Sequence, residues 1–306
     1  MTISRILYAT DFSPASLAAW AYAKELSKVV HAELLILHVV PPLAALSEGF
    51  VSSEIFPRYW ETARNDAEAE LAKLIAEGER EALKARSRVE AGRPADQILL
   101  VATEEQVDLI VAGTEGRSGL NRALFGSVAD ELVRRSSCPV LTVGLRGREP
   151  RAARFETLLY PTDFSPKAEA AWPVVEALAL ASGGKIFILH IMPEVPEDPR
   201  ISPTDRAKLL AGYRRRAEES VVLFLAKSPL PRSRVEVVLD HRVPAEEIVT
   251  HAGRIHADLI VMGTQGSSGL LRWVLGSVAH YVIQAAPCPV LTVGPESRKE
   301  AFHHGT

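Results

Sequence analysis

Two stretches of this chain have the residue types and spacing to hold a phosphate with backbone alone. The first is Gly113-Thr-Glu-Gly116, nine further residues, then Gly126-Ser127; the second is Gly263-Thr-Gln-Gly266, nine further residues, then Gly276-Ser277. Both spell G-x2-G-x9-G-S, and the repetition makes the pattern far more specific than one glycine-rich run. Glycine admits positive φ and close approach to the main chain, while exposed N–H groups and the N-terminus of a following helix attract anions. Ser127 and Ser277 stand at the expected helix starts, where a hydroxyl can donate to a ligand or simply cap the helix. A tight strand-to-helix connection with no ligand is the plainer reading of the glycines.

The same loops lack the parts of a phosphoryl-transfer machine, which needs a lysine on the phosphates, a carboxylate-held metal and a residue that places the nucleophile. Neither contains lysine, and Glu115 of the first copy is Gln265 in the second. Arg122 and Arg272 occupy matched positions and either balance phosphate charge or lie solvated on the surface. Arg117 is Ser267 in the second copy, so the two loops are expected to differ in affinity.

The elements that position these loops are duplicated as well. Asp11 matches Asp163 and His38 matches His190 at one offset; Gly113, Gly126 and Cys138 match Gly263, Gly276 and Cys288 at an offset two residues shorter. One large repeat implies two similar domains rather than a solenoid, expected at 1–145 and 154–295, with a linker rich in Arg, Gly and Pro across 145–154. In the first half, apolar runs at 6–9, 34–40, 88–90, 108–112 and 139–143 read as strands. Helices are expected from Pro14 behind a Ser13 cap, over 61–84 and 95–104, and from Ser127 to about Arg135; 41–60 reads as irregular. The second half repeats this order, with Pro173 predicting a kink or late start in its first helix and Ser182-Gly183-Gly184 reading as a helix stop. Strands alternating with helices give an α/β fold class: two similar doubly wound domains, each a five-stranded parallel sheet flanked by helices. Ligands of such sheets bind beyond the strand C-termini where strand order reverses, which sets the Asp11 turn opposite the Gly113 loop and the Asp163 turn opposite the Gly263 loop.

With 306 residues, 47% hydrophobic and 24% charged, the chain has the balance of a globular protein. A formal net charge of -3 gives no electrostatic reason to expect a nucleic-acid partner. No apolar run reaches the ~18 residues of a membrane span. The two cysteines share one context, Cys-Pro-Val-Leu-Thr-Val-Gly, and read as reduced structural thiols, so a cytoplasmic location is expected. His38 and His190 lie in apolar strands and are expected buried and hydrogen-bonded. His251 and His256 are spaced wrongly for one helix face, and no structural metal is expected.

Ile-Leu-Tyr-Ala-Thr-Asp11-Phe-Ser, Leu-His38-Val, Leu-Ile-Val-Ala-Gly-Thr, G-x2-G-x9-G-S and Cys-Pro-Val-Leu-Thr-Val occur in that order, and closely similar segments repeat the series. Together they resemble the universal stress protein family in its tandem form, over nearly the whole chain and least well at 41–88 and 193–234. In that family the intact glycine motif marks members that bind ATP. The resemblance implies that Asp11 and Asp163 contact the adenosine end, that Val39 and Ile191 pack on adenine, and that Gly113, Gly116, Gly126, Ser127, Gly263, Gly266, Gly276 and Ser277 hold ribose and phosphates. From the residues alone, the aspartates are equally turn or capping residues, and Val39 and Ile191 are core. The cofactor implied is ATP, with ADP or AMP as alternatives and magnesium arriving on the phosphates. The function implied is an ATP-binding stress-response module whose occupancy sets conformation or partner choice. A slow ATPase or nucleotide hydrolase and a structural interaction module without nucleotide remain as alternatives. The resemblance also implies that the last strands of the halves pair within the chain as a pseudo-dimer, and it leaves a homodimer open.

Overall fold

The computed structural model describes residues 1–42, 55–114, 126–144, 152–195, 198, 200–240, 243–265 and 275–294. The first half runs β1 (Arg5–Ala9), α1 (Pro14–Val30), β2 (Glu33–Val40), α2 (Ile55–Arg80), β3 (Ala85–Ala91), α3 (Pro94–Glu104), β4 (Leu109–Gly113), α4 (Ser127–Arg135) and β5 (Val140–Val143). The second runs β6 (Thr157–Pro161), α5 (Pro166–Glu169), α6 (Trp172–Ser182), β7 (Lys185–Ile191), α7 (Pro203–Leu225), β8 (Val235–Asp240), α8 (Pro244–Arg254), β9 (Leu259–Gly263), α9 (Ser277–Ala285) and β10 (Val290–Val293).

Local chemistry explains the helix ends. The Ser13 hydroxyl accepts the Ser16 N–H, and the Ser165 hydroxyl accepts the Ala168 N–H; each helix then begins on a proline, whose missing N–H loses nothing at that position. The expected disturbance at Pro173 is a full break: α5 ends at Glu169 and α6 restarts at Trp172 with Pro173 in its first turn. Gly183 then stops α6 in the left-handed region, at φ +73°.

Two boundaries differ from the sequence reading. Helix α2 begins at Ile55, inside the stretch expected to be irregular, and ends at Arg80 rather than at 84. Strand β3 runs over Ala85–Ala91 rather than 88–90 and pairs with β2 along its length, from Leu34 opposite Ala85 to Val40 opposite Ala91. Its charges mask the strand pattern, because Arg86 and Arg88 pair with Glu33, Glu104 and Glu105 at the rim of the sheet. Charged edge strands resist unwanted pairing.

All ten strands form one sheet in the order β3-β2-β1-β4-β5-β10-β9-β6-β7-β8. Pairing is parallel within each half and antiparallel where β5 meets β10, with Leu141 opposite Leu291. This is the intrachain pairing expected of the last strands. Two side chains reinforce it: the Thr142 hydroxyl donates to Val290 O at 3.0 Å and the Thr292 hydroxyl to Val140 O at 3.3 Å. Successive residues of each strand face opposite sides, so two apolar layers cross both halves. One holds Tyr8, Trp20, Leu26, Tyr160 and Trp172; the other holds Leu7, Ile98, Leu132, Ile248 and Val282. Among the described residues no helix is long and apolar enough to cross a membrane.

Tyr8 and Tyr160 sit at matched positions in the first layer and are fully buried. Their hydroxyls donate to Ser16 O at 2.6 Å and Ala168 O at 3.0 Å, tying each first strand to the start of its helix. Burial raises both phenol pKa values far above the ordinary value. A group whose pKa is raised by folding contributes stability below its unfolded pKa, about 10 for tyrosine, and loses it as pH rises past that value. Urea unfolding from pH 8 to pH 11 is therefore expected to show a steep alkaline loss of stability. The loss should be shallower in a Tyr8→Phe, Tyr160→Phe double variant, and equal slopes would refute the assignment.

Candidate functional site

Strand order reverses between β1 and β4, and a cleft of about 590 Å3 opens there at the strand C-termini. That lies inside the ~300–1,000 Å3 range of small-molecule sites. Its apolar lining comes from Val39, Val40, Pro41, Ile98 and Ala63, with Tyr59 among the lining residues. The lining also includes the start of the glycine motif, Gly113 and Thr114, and its close, Gly126 and Ser127. Gly126 N–H donates to Thr114 O at 2.7 Å, pinching the two ends of the intervening loop together. Helices α3 and α4 begin at the cleft with Pro94 and Ser127, and helix N-termini carry partial positive charge. Asp11, Asp66 and Glu70 add carboxylates, and no lysine or arginine is among the described lining residues.

The floor of the cleft is a strained turn. Phe12 is in the left-handed region at φ +60°, a conformation that costs a non-glycine residue about 1–2 kcal/mol. Three contacts hold it. The Thr10 hydroxyl accepts the Phe12 N–H at 3.0 Å, Asp11 Oδ1 accepts the Ser13 N–H at 3.0 Å, and the Phe12 ring stacks on His38 at 4.6 Å between centroids. His38 is buried, and its Nδ1 lies 2.8 Å from Thr10 O. A carbonyl only accepts, so Nδ1 carries the proton and donates. The second half repeats the design: Phe164 has φ +56°, Thr162 Oγ1 and Asp163 Oδ1 accept the matched N–H groups, and His190 donates to Thr162 O at 2.9 Å.

The cleft thus gathers Asp11, Val39, Gly113, Gly126 and Ser127 of the expected set, while Gly116 lies outside the described residues. In the second half Asp163 and Ser277 are exposed, and Ile191, Gly263 and Gly276 are half-buried at the matching strand and helix ends. Gly266, and the arginines Arg117, Arg122 and Arg272, lie outside the described residues. Both aspartates do serve the turn, through Oδ1.

Two details correct the sequence reading. Neither Gly126 nor Gly276 takes positive φ; both sit at -62° as the caps of α4 and α9, so Ser127 and Ser277 are the first helical residues and not the caps. Gly113 is glycine because of crowding. A Cβ there would come within 2.8 Å of the Ala15 carbonyl carbon and the Ser16 nitrogen, where the start of α1 presses on the end of β4. The sequence reading also missed the wall that α2 supplies, since Tyr59, Ala63, Asp66, Ala67 and Glu70 were read as irregular chain and solvated helix. The signal was present in the four-residue spacing of Tyr59, Ala63 and Ala67.

The second half departs from the first in two ways. Strands β1 and β4 pair from Ile6–Leu109 through Ala9–Ala112, whereas β6 and β9 pair only at Leu158–Leu259 and Leu159–Ile260. Thr162 N–H points to β7, donating to Leu189 O, so by alternation the bond toward β9 falls to residue 161. That residue is proline and has no N–H. In addition, Lys167, at the position of Ala15, reaches from α5 to Gln265 Oε1 at 3.1 Å. A lysine absent from both loops is thus brought against the second one by the fold.

Comparison with known proteins agrees with this architecture. The model of the universal stress protein family matches residues 2–144 and again 154–294. A universal stress protein of Mycolicibacterium smegmatis is 27% identical over 95% of this chain and 97% of its own length. One from Mycobacterium tuberculosis is 29% identical over 84% of this chain and 86% of its own. The crystal structure of a universal stress protein from Archaeoglobus fulgidus superposes with a TM-score of 0.67 at 23% identity, covering 96% of this chain and 97% of that one. That likeness shows the shared fold.

The crowding at Gly113 is measurable. Gly113→Ala is expected to destabilise by about 1–3 kcal/mol in urea or thermal unfolding, because the new methyl meets backbone that has no room to yield. Gly212→Ala is the control: it lies in α7 with open space around its Cβ and should be stabilising by about 0.5–1 kcal/mol. Equal effects at the two positions would remove the packing explanation.

Proposed function

The chain belongs to the universal stress protein family, with two tandem matches to its domain, and from that premise we propose that each half binds one adenine nucleotide, ATP foremost. Occupancy sets the conformation or partner choice of a stress-response regulatory module. The observation that carries this reading is the first-half cleft, whose single volume is lined both by apolar residues and by the glycine-framed start and close of the motif. An adenine ring needs the first and a phosphate chain the second.

In this reading Val39 packs on the base and the Asp11 carboxylate accepts from the sugar, with Oδ1 already fixed by the Ser13 N–H. Gly113, Gly126 and Ser127 take ribose and phosphates, with Gly116 from the loop between them. The matching set is Asp163, Ile191, Gly263, Gly266, Gly276 and Ser277. Magnesium, where present, is held by the phosphates and offsets the carboxylates of Asp11, Asp66 and Glu70, which line the same cleft. The residues suit holding better than splitting: the strand histidine of each half, buried at His38 and half-buried at His190, donates to a carbonyl, and one oxygen of each aspartate is engaged by its turn.

Titration calorimetry of the purified chain with ATP, ADP, AMP and cyclic AMP tests the reading, which fails if none binds. Ser127→Ala is the sharper probe. Ser127 is exposed at the start of α4, so its loss should leave the unfolding midpoint unchanged. Affinity of the first half for ATP is expected to fall roughly tenfold, as for removal of a hydrogen bond to a charged group.

A further inference from the structure

We infer that the outer edge of β8 is a homodimer interface, on which a second copy of this chain pairs antiparallel with Val237 at the two-fold axis. The inference does not depend on the nucleotide reading above.

Strand β8 ends the sheet, and among the described residues no strand lies beyond it. One bond fixes which of its backbone groups are used: Met192 N–H, at the end of β7, donates to Asp240 O. The N–H and C=O of a strand residue point to the same side and successive residues alternate, so residues 236, 238 and 240 face β7. Val235, Val237 and Leu239 therefore direct their N–H and C=O groups away from the sheet. A row of this kind is a template for another strand.

The composition of the edge favours such pairing. Glu236 is exposed and the other five residues of Val-Glu-Val-Val-Leu-Asp are half-buried. On either side of the strand in the chain stand the three most exposed large apolar residues described: Val222 at 63% and Leu223 at 69% on α7, and Val243 at 56% just past β8. The opposite edge of the sheet differs. There β3 carries Arg86, Arg88 and Glu90, bound in ion pairs with one another and with Glu33, Glu104 and Glu105. Strand β8 contains no lysine or arginine, the charges that most often blunt an edge.

Register and symmetry identify the partner. Hydrogen-bonded pairs across an antiparallel ladder form between residues that both point outward. With β8 spanning Val235–Asp240, one register uses every outward residue of both copies: Val237 opposite Val237, and Val235 opposite Leu239 in each direction. This contact is isologous and closes at two chains. It also keeps acids apart. Sliding the partner so that Val235 meets Val237 sets Glu236 on Glu236, and the opposite slide sets Glu236 on Asp240; like charges directly opposite are destabilising. In the centred register Glu236 meets Val238. Asp240 is engaged within its own chain, so the register rests on the outward residues and on Glu236. Val235 and Val237 already pack against the first apolar layer, and the pairing carries that layer across the axis.

Sedimentation velocity of the full chain over a wide concentration range is expected to show a monomer–dimer equilibrium. Val237→Pro probes the edge: the Val237 N–H points away from β7, and proline is tolerated on the open side of an edge strand. The unfolding midpoint should hold while the dimer dissociation constant rises roughly tenfold. A monomer at every concentration overturns the inference, and so does a dimer that Val237→Pro leaves intact. Should that substitution lower the unfolding midpoint, cysteine pairing decides. Val237→Cys should form an interchain disulfide under mild oxidation, because the residue meets itself at a Cα separation of about 5.5 Å. Val235→Cys, which meets Leu239, should not, and the wild type with Cys138 and Cys288 sets the background. No linking at 237, or equal linking at 235, overturns the pairing.

Discussion

The hydrogen bond from a second-strand histidine to the carbonyl that ends the first strand is the constraint on which each half of this molecule depends. His38 donates to Thr10 O and His190 to Thr162 O. The carbonyl would otherwise be a buried acceptor at the point where the chain leaves the sheet, and a buried acceptor without a partner costs about 1–3 kcal/mol. The imidazole satisfies it and offers a face against which the phenylalanine ring packs, stacked for Phe12 and tilted for Phe164. That ring contact offsets the left-handed backbone of the phenylalanine, which in turn aims the aspartate over the crevice and delivers the serine cap to the following helix. Removal of the ring would release strain, capping and cleft floor together. The histidines are therefore structural, as their apolar surroundings in the sequence imply, yet the site geometry passes through them.

Much of this was legible in the residues because the physics involved is local or periodic. Continuous apolar runs such as Leu34 to Leu37 mean strands covered on both faces, and a serine followed by proline means a helix start; both readings hold. The duplicated offsets of Asp11 and Asp163, and of Gly113 and Gly263, placed the two strand-order reversals, between β1 and β4 and between β6 and β9, before any coordinates. Three things were not legible. The start of α2 was hidden because 41–60 lacks a clean period, and the four-residue spacing of Tyr59, Ala63 and Ala67 marks a helix face without saying what that face covers. The true reason for Gly113 is contact with Ala15 and Ser16, nearly a hundred residues away in sequence. Lys167 escaped for the same reason: a search of the glycine loops for lysine finds none, because the lysine arrives from another element.

Proline shows how one residue type does unlike work in the two halves. Pro14 and Pro166 begin helices at no loss, Pro173 splits a helix into α5 and α6, and Pro161 shortens the β6–β9 ladder. The last two have no proline counterpart in the first half, where the matched residues are Ala21 in an unbroken α1 and Ala9 in β1. Two differences between the copies thus fall in the first strand and first helix of the second half.

The antiparallel seam between β5 and β10 gives that divergence a setting. Because every strand within a half is parallel and the seam reverses direction, the two crevices open on opposite rims of the sheet. Four strand spacings, from β1 past β4, β5 and β10 to β9, put them roughly 20 Å apart across it. Separate domains carrying the same self-complementary edge would pair like with like as readily as like with unlike. Joining them in one polypeptide raises the local concentration of the unlike partner to a level that free copies do not match. The covalent link therefore acts as a stoichiometry device: every molecule carries one of each crevice, in fixed ratio and back to back, whatever the amount of protein in the cell.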